Sequence, residues 1–311
     1  MKKLQGKAKG KSGEGCEEMR IATPTRTRAI IEEFGHRLRK SLGQNFLIDS
    51  NIVDNIIKGA GVTKEDVVLE VGPGIGSMTE ILAEHAKEVI AVEIDKYLIP
   101  VLDHTLGHLE NVTVIHEDIL KLDLQALHTS RGLKEGQKFK VVANLPYYVT
   151  TPIIMSLLEG EAPVESITVM IQKEVADRIL SKKDVKTYGA LTVACNVHAD
   201  VKEIMVVPPT VFIPRPKVAS SVIHLEPKGS LVKEEDKKLF FAIVKDAFGK
   251  RRKTLLNSLS SGLLALSKDE VREALEQAEI DPKKRAENLS VEEFQHFMEK
   301  LQQIRKSDRE Q

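Results

Sequence analysis

Four consecutive residues, Asn144-Leu-Pro-Tyr147, follow directly after the apolar, β-branched run Phe139–Ala143. The Asn144 side-chain oxygen and the main-chain carbonyl of Leu145 are two acceptors, which suit the two protons of an exocyclic amino group. Pro146 removes a donor and stiffens the turn. The Tyr147 ring offers a face on which a nucleobase can stack, worth about 1–3 kcal/mol. The tetrapeptide therefore predicts a site for an amino-bearing base.

The chemistry that such a site favours is alkylation of the amino nitrogen. Two acceptors draw the nitrogen lone pair out of conjugation with the base ring and let it attack an electrophilic methyl group in line with a sulfonium leaving group. No strong base is needed before the attack, because the alkylated nitrogen is acidic and loses its proton afterwards. Positioning and electrostatics then supply the catalysis. A strand-end turn followed by a core tyrosine is the alternative.

A glycine-rich motif, Glu70-Val-Gly-Pro-Gly-Ile-Gly76, ends the apolar run Val67–Val71 and precedes a helical pattern. Glycines in such a turn let the main chain bend sharply and approach a ligand closely. The spacing is G-x-G-x-G, whereas a dinucleotide fingerprint has G-x-G-x-x-G and holds a pyrophosphate. The motif therefore favours a ligand with a nucleoside and no required phosphate, although purely conformational glycines remain the alternative.

Acidic residues follow the next two predicted strands. Glu93 lies about twenty residues after the glycine motif, where a carboxylate meets the two hydroxyls of a ribose. Asp118 is placed to accept a hydrogen bond from the exocyclic amine of an adenine, with Ile94 or Ile119 packing on the ring. Taken alone, Asp118 serves equally well as a cap or turn residue.

Near-continuous apolar strands alternate with helices over most of the chain, which predicts an α/β fold, a Rossmann-like parallel sheet covered on both faces. Two later β-rich stretches close the sheet, the last one antiparallel. Beyond residue 229 the pattern is helical throughout and predicts a small all-helical domain. The predicted strands are 67–71, 89–93, 112–116, 139–143, 166–172, 201–207 and 220–225. The predicted helices are 27–39, 49–59, 76–85, 96–106, 152–158, 173–181, 236–248, 253–259, 268–277 and 291–304.

Composition excludes several classes of protein. The 46 basic and 46 acidic side chains balance, which argues against a protein that coats nucleic acid by bulk charge. The balance hides a net charge of +6 over residues 1–44 and −7 over residues 45–229. Two cysteines without a CxxC pair exclude a Cys-rich zinc site, and the histidines show no metal spacing, so no metal is expected. Without an apolar run of about 20 residues or a secretory segment, we expect a cytoplasmic protein without a membrane partner.

These motifs, in this order, resemble the KsgA family of small-subunit (16S) rRNA adenine N6,N6-dimethyltransferases, which use S-adenosylmethionine (SAM). The resemblance covers about Arg37 to Glu299. Five segments carry it: Lys40-Ser-Leu-Gly-Gln-Asn-Phe-Leu47, Glu70-Val-Gly-Pro-Gly-Ile-Gly76, Asn144-Leu-Pro-Tyr-Tyr-Val-Thr-Thr-Pro152, Phe212-Ile-Pro-Arg-Pro-Lys-Val-Ala-Ser-Ser-Val222 and Phe248-Gly-Lys-Arg-Arg-Lys-Thr-Leu-Leu-Asn-Ser-Leu259. It implies a SAM-dependent methyltransferase domain over 25–228 and a helical RNA-binding domain over 229–311. Composition, rich in Gly, Lys and Glu with few apolar side chains, predicts a basic, disordered extension over residues 1–24.

The resemblance also implies residue roles. Phe212 is a second aromatic for the target base, with a core phenylalanine as the alternative. Two methyl groups go to each of two adjacent adenosines in the 3′-terminal hairpin of the rRNA, with Asn144, Leu145, Pro146 and Tyr147 at the reacting edge. The cofactor contacts are Asn45 and Leu47 closing over SAM, Gly72 and Gly74 at its methionine side, Glu93 on the ribose, and Ile94, Asp118 and Ile119 around the adenine, with Asn144 beside the methyl group.

Three basic clusters are candidates for phosphate contacts along an RNA hairpin. One precedes Asn45, one flanks the Phe212 loop, and the third is predicted to open a helix of the small domain. A solvated helix face is the alternative for each. The residues are Arg37, Arg39 and Lys40, then Arg215 and Lys217, then Lys250, Arg251, Arg252 and Lys253.

Three other functions compete with a 16S rRNA enzyme, which we expect to act as a monomer. The first is a related enzyme that methylates large-subunit rRNA and confers macrolide resistance. The second is a nonenzymatic assembly or transcription factor on the same fold, against which the intact Asn144 and Glu93 argue. The third is an NAD-dependent dehydrogenase, which the G-x-G-x-G spacing disfavours.

Overall fold

The computed structural model describes residues 19–35, 44–134, 136–160 and 163–310. Nine strands and twelve α-helices lie within these ranges. The strands are β1 Phe46–Leu47, β2 Val67–Val71, β3 Glu88–Glu93, β4 Val112–His116, β5 Phe139–Asn144, β6 Val164–Gln172, β7 Ala199–Val207, β8 Phe212–Ile213 and β9 Ser220–Pro227. The helices are α1 Pro24–Phe34, α2 Ser50–Gly59, α3 Ser77–His85, α4 Ile99–Leu106, α5 Leu124–Ser130, α6 Thr150–Glu159, α7 Lys173–Ile179, α8 Ala190–His198, α9 Glu234–Gly249, α10 Leu255–Leu259, α11 Lys268–Gln277 and α12 Val291–Glu310.

One 7-stranded sheet has the order β4-β3-β2-β5-β6-β9-β7. The pairs from β4 to β6 are parallel and β9 pairs antiparallel with β6, which confirms the predicted α/β, Rossmann-like sheet. Every residue of β2 is buried, as expected for a strand covered on both faces. The chain order reverses at β2, between β3 and β5, and ligands of such sheets bind at the carboxyl ends of the strands at this point.

The described residues form two compact units, each with its own core. The first contains the residues up to Lys173 together with 202–226, and the second contains 174–201 and 227–311. The sequence pattern does not reveal α8, so residues 174–201 are predicted to belong to the first domain, 25–228, and this assignment differs from the structure. Val193 and Val197 of that helix are fully buried in the same core as Phe240 and Phe294, which is why this segment joins the second unit.

The prediction that residues 250–253 open a helix is wrong. Helix α9 ends at Gly249, and α10 begins only at Leu255, after the extended residue Thr254. The four basic residues form a turn, closed by the Lys253 N–H donating to the Lys250 carbonyl at 2.8 Å. Of the helix predicted over 27–39, the structure shows α1, and residues 36–39 lie outside the described residues.

None of the described helices combines the length and the apolar character that a membrane crossing requires.

Candidate active site

A cavity of about 290 Å³ opens in the first unit at the carboxyl ends of β2, β3, β4 and β5. Neighbouring strands are about 4.8 Å apart, so the strand order β4-β3-β2-β5 spreads the lining side chains over a nucleoside-sized distance. All the residues predicted to act in catalysis or to bind the cofactor line this cavity: Asn45, Leu47, Gly72, Gly74, Glu93, Ile94, Asp118, Ile119, Asn144, Leu145, Pro146, Tyr147 and Phe212.

The glycine motif gives the cavity a wall of main chain. Gly72 and Gly74 have φ values of 70° and 64°, in the left-handed region that disfavours side chains. A Cβ atom on Gly74 would come within 3.4 Å of the Phe46 ring, whereas one on Gly72 would meet no described atom within 4 Å. The motif therefore leaves open space beside the turn, as a closely approaching ligand requires.

Glu93 ends β3 with its carboxylate held by main-chain donors. The N–H groups of Asp95 and Gly74 donate to its two oxygens at 2.8 and 3.3 Å. The side chain is only 4% exposed, and this burial raises its pKa to about 7 in spite of the two hydrogen bonds. The fixed carboxylate is suited to accept hydrogen bonds from a pair of hydroxyls.

Glu70 is a residue of this site that the sequence analysis did not select, although its place two residues before Gly72 was a usable signal. It is 2% exposed, and burial raises its pKa to about 8, with the Glu93 charge adding to the shift and the Thr79 hydroxyl opposing it. Within the described part of the chain, its Oε2 has no hydrogen-bond partner, and the same holds for Gln44 Oε1 and Ser77 Oγ. These three buried atoms belong to residues that line one cavity, which indicates a polar ligand there.

The acceptor turn after β5 has two oxygen atoms that no described residue uses. Asn144 donates its Nδ2 to the Asn45 carbonyl at 3.3 Å, and no described residue donates to its Oδ1. The Leu145 N–H is used in the sheet, donating to Met170 at 3.1 Å, while the Leu145 carbonyl accepts no hydrogen bond from the described residues. The Asn144 side-chain oxygen and the Leu145 carbonyl are thus both left for a ligand.

Two aromatic residues, Tyr147 and Phe212, also line the cavity. The Tyr147 hydroxyl lies 3.2 Å from Ser220 Oγ, which anchors the far end of its ring. Phe212 is 3% exposed and lies in β8, which pairs antiparallel with β1 through Leu47 and Phe212. These two-residue strands carry no periodic signal and were not predicted. Phe212 packs in the core as well as lining the cavity, so its contact with a target base stays a prediction.

At the other end of the cavity, Asp118 acts as a turn residue, the alternative that the sequence left open. Its Oδ1 accepts the Leu120 N–H at 3.0 Å. Ile94 is exposed beside it and Ile119 is half-buried, so an apolar surface for a base ring is present. Whether Asp118 also binds a ligand stays a prediction.

The predicted RNA-binding residues do not all fall in the described structure. Arg37, Arg39 and Lys40 lie outside the described residues. Arg215 and Lys217 are exposed in the loop after β8. The basic turn 250–253 is exposed in the second unit, where Arg251 donates to the Lys186 carbonyl and lies 3.8 Å from Glu287. No group of three potential metal ligands occurs in the described ranges.

The site and fold define a Rossmann-like methyltransferase. Its features are a mostly parallel sheet with this strand order, a glycine turn after β2 and a buried acid at the end of β3. The comparisons with known proteins are more specific. The model of the ribosomal RNA adenine dimethylase family matches residues 35–303, and the chain belongs to this family.

Relatives and solved structures agree with this assignment. The chain is 54% identical over 279 residues to the ribosomal RNA small subunit methyltransferase A of Alkaliphilus metalliredigens, covering 88% of this chain and 96% of that protein. It is 48% identical over 287 residues to the protein of the same name from Bacillus licheniformis, covering 91% and 98%. A dimethyladenosine transferase from Plasmodium falciparum superposes with a TM-score of 0.69 at 26% identity, over 83% of this chain and 98% of that one. The 23S rRNA methyltransferase ErmE gives a TM-score of 0.61 at 26% identity, over 83% and 100%.

Proposed function

We propose that this protein uses SAM to dimethylate N6 of two adjacent adenosines in the 3′-terminal hairpin of 16S rRNA, within the small ribosomal subunit or its precursor. The observation that carries the proposal is the acceptor turn. Its two oxygens, Asn144 Oδ1 and the Leu145 carbonyl, belong to residues that line one cavity, and neither accepts a hydrogen bond from the described residues. The relatives named small subunit methyltransferase A support the choice of rRNA. We expect the protein to act as a monomer in the cytoplasm, where the ribosomal subunits are assembled.

The residues present fit SAM. Glu93 is placed for the ribose hydroxyls, and Ile94, Ile119 and Asp118 for the adenine. The open main chain at Gly72 and Gly74 and the unpaired polar atoms of Gln44, Glu70 and Ser77 suit the charged methionine end. When bound, SAM supplies the electrophilic methyl group and the sulfonium leaving group.

The acceptor turn prepares the adenine amine for attack. Asn144 Oδ1 and the Leu145 carbonyl accept hydrogen bonds from the two N6–H groups, which directs the nitrogen lone pair away from the base ring. Tyr147, anchored to Ser220, stacks on the base. The new N–C bond makes the nitrogen acidic, and its proton passes to water. After the first transfer one N6 proton remains for one acceptor, and the apolar Leu145 side chain tolerates the methyl group already present.

Sequence identity favours the small subunit over the large one. The solved 23S rRNA methyltransferase is 26% identical to this chain, whereas the relatives named for the small subunit are 54% and 48% identical. A nonenzymatic factor on this fold has no need of two acceptors without a donor and a buried carboxylate in one cavity. The intact site therefore favours an enzyme.

Radiolabelling tests the function directly. The protein is incubated with tritiated SAM and with undermethylated small subunits, large subunits or free 16S rRNA, and the modified bases are mapped by primer extension. We expect label at the two adjacent adenosines of the small-subunit 3′ hairpin. Label only in the large subunit, or no label above background, contradicts the proposal.

The basic turn provides a test of RNA contact in the second unit. The side chains of Arg252 and Lys253 are exposed and make no hydrogen bond or ion pair with a described residue. We expect Arg252→Ala/Lys253→Ala to weaken binding to undermethylated small subunits. The magnitude of the slope of log K against log salt should fall by about 1.4–1.8, since each of the two phosphate contacts contributes about 0.7–0.9.

The control for this variant is Lys245→Ala/Lys268→Ala, which removes two exposed charges of the same unit elsewhere. Both pairs are compared by sedimentation of the complexes over a series of potassium chloride concentrations. Equal slopes for the two double variants mean that the basic turn is a solvated surface.

A further inference from the structure

Tyr148 has no part in the site derived above, yet it lines the same cavity. Its side chain is 63% exposed, whereas the ring of the preceding Tyr147 is half-buried and anchored to Ser220. Within the described ranges, no hydrogen bond, ion pair or ring contact involves Tyr148. An isolated exposed aromatic is ordinary, but one at the mouth of a reaction cavity is positioned to meet a ligand.

The turn that carries Tyr148 is held at both ends. The Pro146 carbonyl accepts the Val149 N–H at 3.2 Å and the Thr150 hydroxyl at 3.0 Å. These bonds close the turn just before α6 begins at Thr150. The main chain under the exposed ring is therefore fixed by its neighbours, so a base that stacks there meets a preorganised surface.

The strand order determines which ligand lies within reach of the Tyr148 ring. Glu93, Ile94 and Asp118 follow β3 and β4, on the side of the cavity assigned to the cofactor nucleoside. Tyr148 follows β5, on the other side of β2, together with the acceptors for the target amine. It therefore borders the RNA half of the cavity, outside the half-buried Tyr147.

We propose that Tyr148 stacks on the nucleobase that flanks the target adenosine in the RNA strand. The inference rests on the proposed function and adds a contact at the mouth of the cavity that holds the reacting base. Stacking suits this position chemically. When two adjacent adenosines are modified in turn, the flanking base changes from adenine to dimethyladenine. A hydrogen bond to its amine is then lost, whereas every base keeps an aromatic face.

Kinetics on undermethylated small subunits test this contact. We expect Tyr148→Ala to lower kcat/KM for the subunits about 5- to 150-fold. This is the factor that corresponds to the free energy of stacking one base on an aromatic ring. Tyr148→Phe should stay within about twofold of wild type, because it keeps the ring. The control is Val206→Ala, which truncates an exposed apolar side chain of the same unit outside the cavity. The Kd for SAM should be unchanged in all three variants.

A spectroscopic measurement separates stacking from a merely structural role. A synthetic hairpin carries 2-aminopurine beside the target adenosine, and its fluorescence is followed on binding. Quenching by wild type and Tyr148→Phe but not by Tyr148→Ala supports the proposal. Equal quenching by Tyr148→Ala, an equal loss of kcat/KM in the Phe variant, or weakened SAM binding in the Ala variant overturns it. A wild-type protein that transfers no methyl group contradicts the proposed function instead.

Discussion

Asn144→Ala is expected to reduce methyl transfer about 100- to 1,000-fold while SAM still binds with an affinity within about threefold of wild type. Removing one preorganised group that acts on the reacting atoms costs a rate factor of this size. The Asn144 amide also donates to the Asn45 carbonyl, so the substitution removes both the acceptor and the bond that orients it. Single-turnover transfer to undermethylated small subunits and calorimetric titration with SAM measure the two effects separately.

Asn144→Asp sharpens this test, because it keeps a side-chain acceptor but loses the donor to Asn45. It should transfer methyl groups more slowly than wild type and faster than the alanine variant. Asn51→Ala, on the exposed face of α2, controls for the loss of an asparagine outside this cavity. Near-wild-type transfer by Asn144→Ala means that the acceptor role is wrong. A parallel loss of SAM binding means that Asn144 mainly supports the cofactor side.

The sequence was informative where one physical constraint acts on consecutive residues. Strand Val67–Val71 was predicted to the residue, since a parallel strand covered on both faces needs a near-continuous apolar run. Edge strand Val112–His116 was also predicted to the residue, from its β-branched residues, although it is only half-buried. The acceptor turn was predictable because Asn144 and Leu145 are adjacent in the chain.

The missed features depend on contacts between distant residues. The pairing of Leu47 with Phe212 joins two strands of two residues each, too short for any period. Helix α8 is defined by packing on the second core, which its own composition does not reveal. The raised pKa of Glu70 comes from its burial in the folded chain. Lys250-Arg-Arg-Lys253 has residues that are acceptable in a helix, yet the Lys253–Lys250 hydrogen bond closes a turn instead.

Glu93→Gln is expected to weaken SAM binding about 10- to 100-fold at pH 8, because the ribose hydroxyls lose a charged acceptor and each such hydrogen bond is worth about 1.5–3 kcal/mol. In the wild type, a Glu93 pKa of about 7 makes the carboxylate neutral at lower pH. SAM affinity should therefore fall as the pH drops from 8 to 6. The variant should lack this part of the pH dependence. Calorimetric titration at several pH values measures both effects.

The stability of the ligand-free protein distinguishes this role from a structural one. Because folding raises the Glu93 pKa to about 7, the stability due to its protonated form is complete below its unfolded pKa and is lost as the pH rises through about 7. The Tm of ligand-free Glu93→Gln should then be at least as high as that of wild type at pH 8. The difference in Tm between the variant and wild type should be smaller at pH 5. The control is Glu117→Gln, which neutralises an exposed carboxylate lining the same cavity. If Glu93→Gln binds SAM like wild type, or if it melts lower at pH 8, Glu93 maintains the fold rather than the cofactor contact.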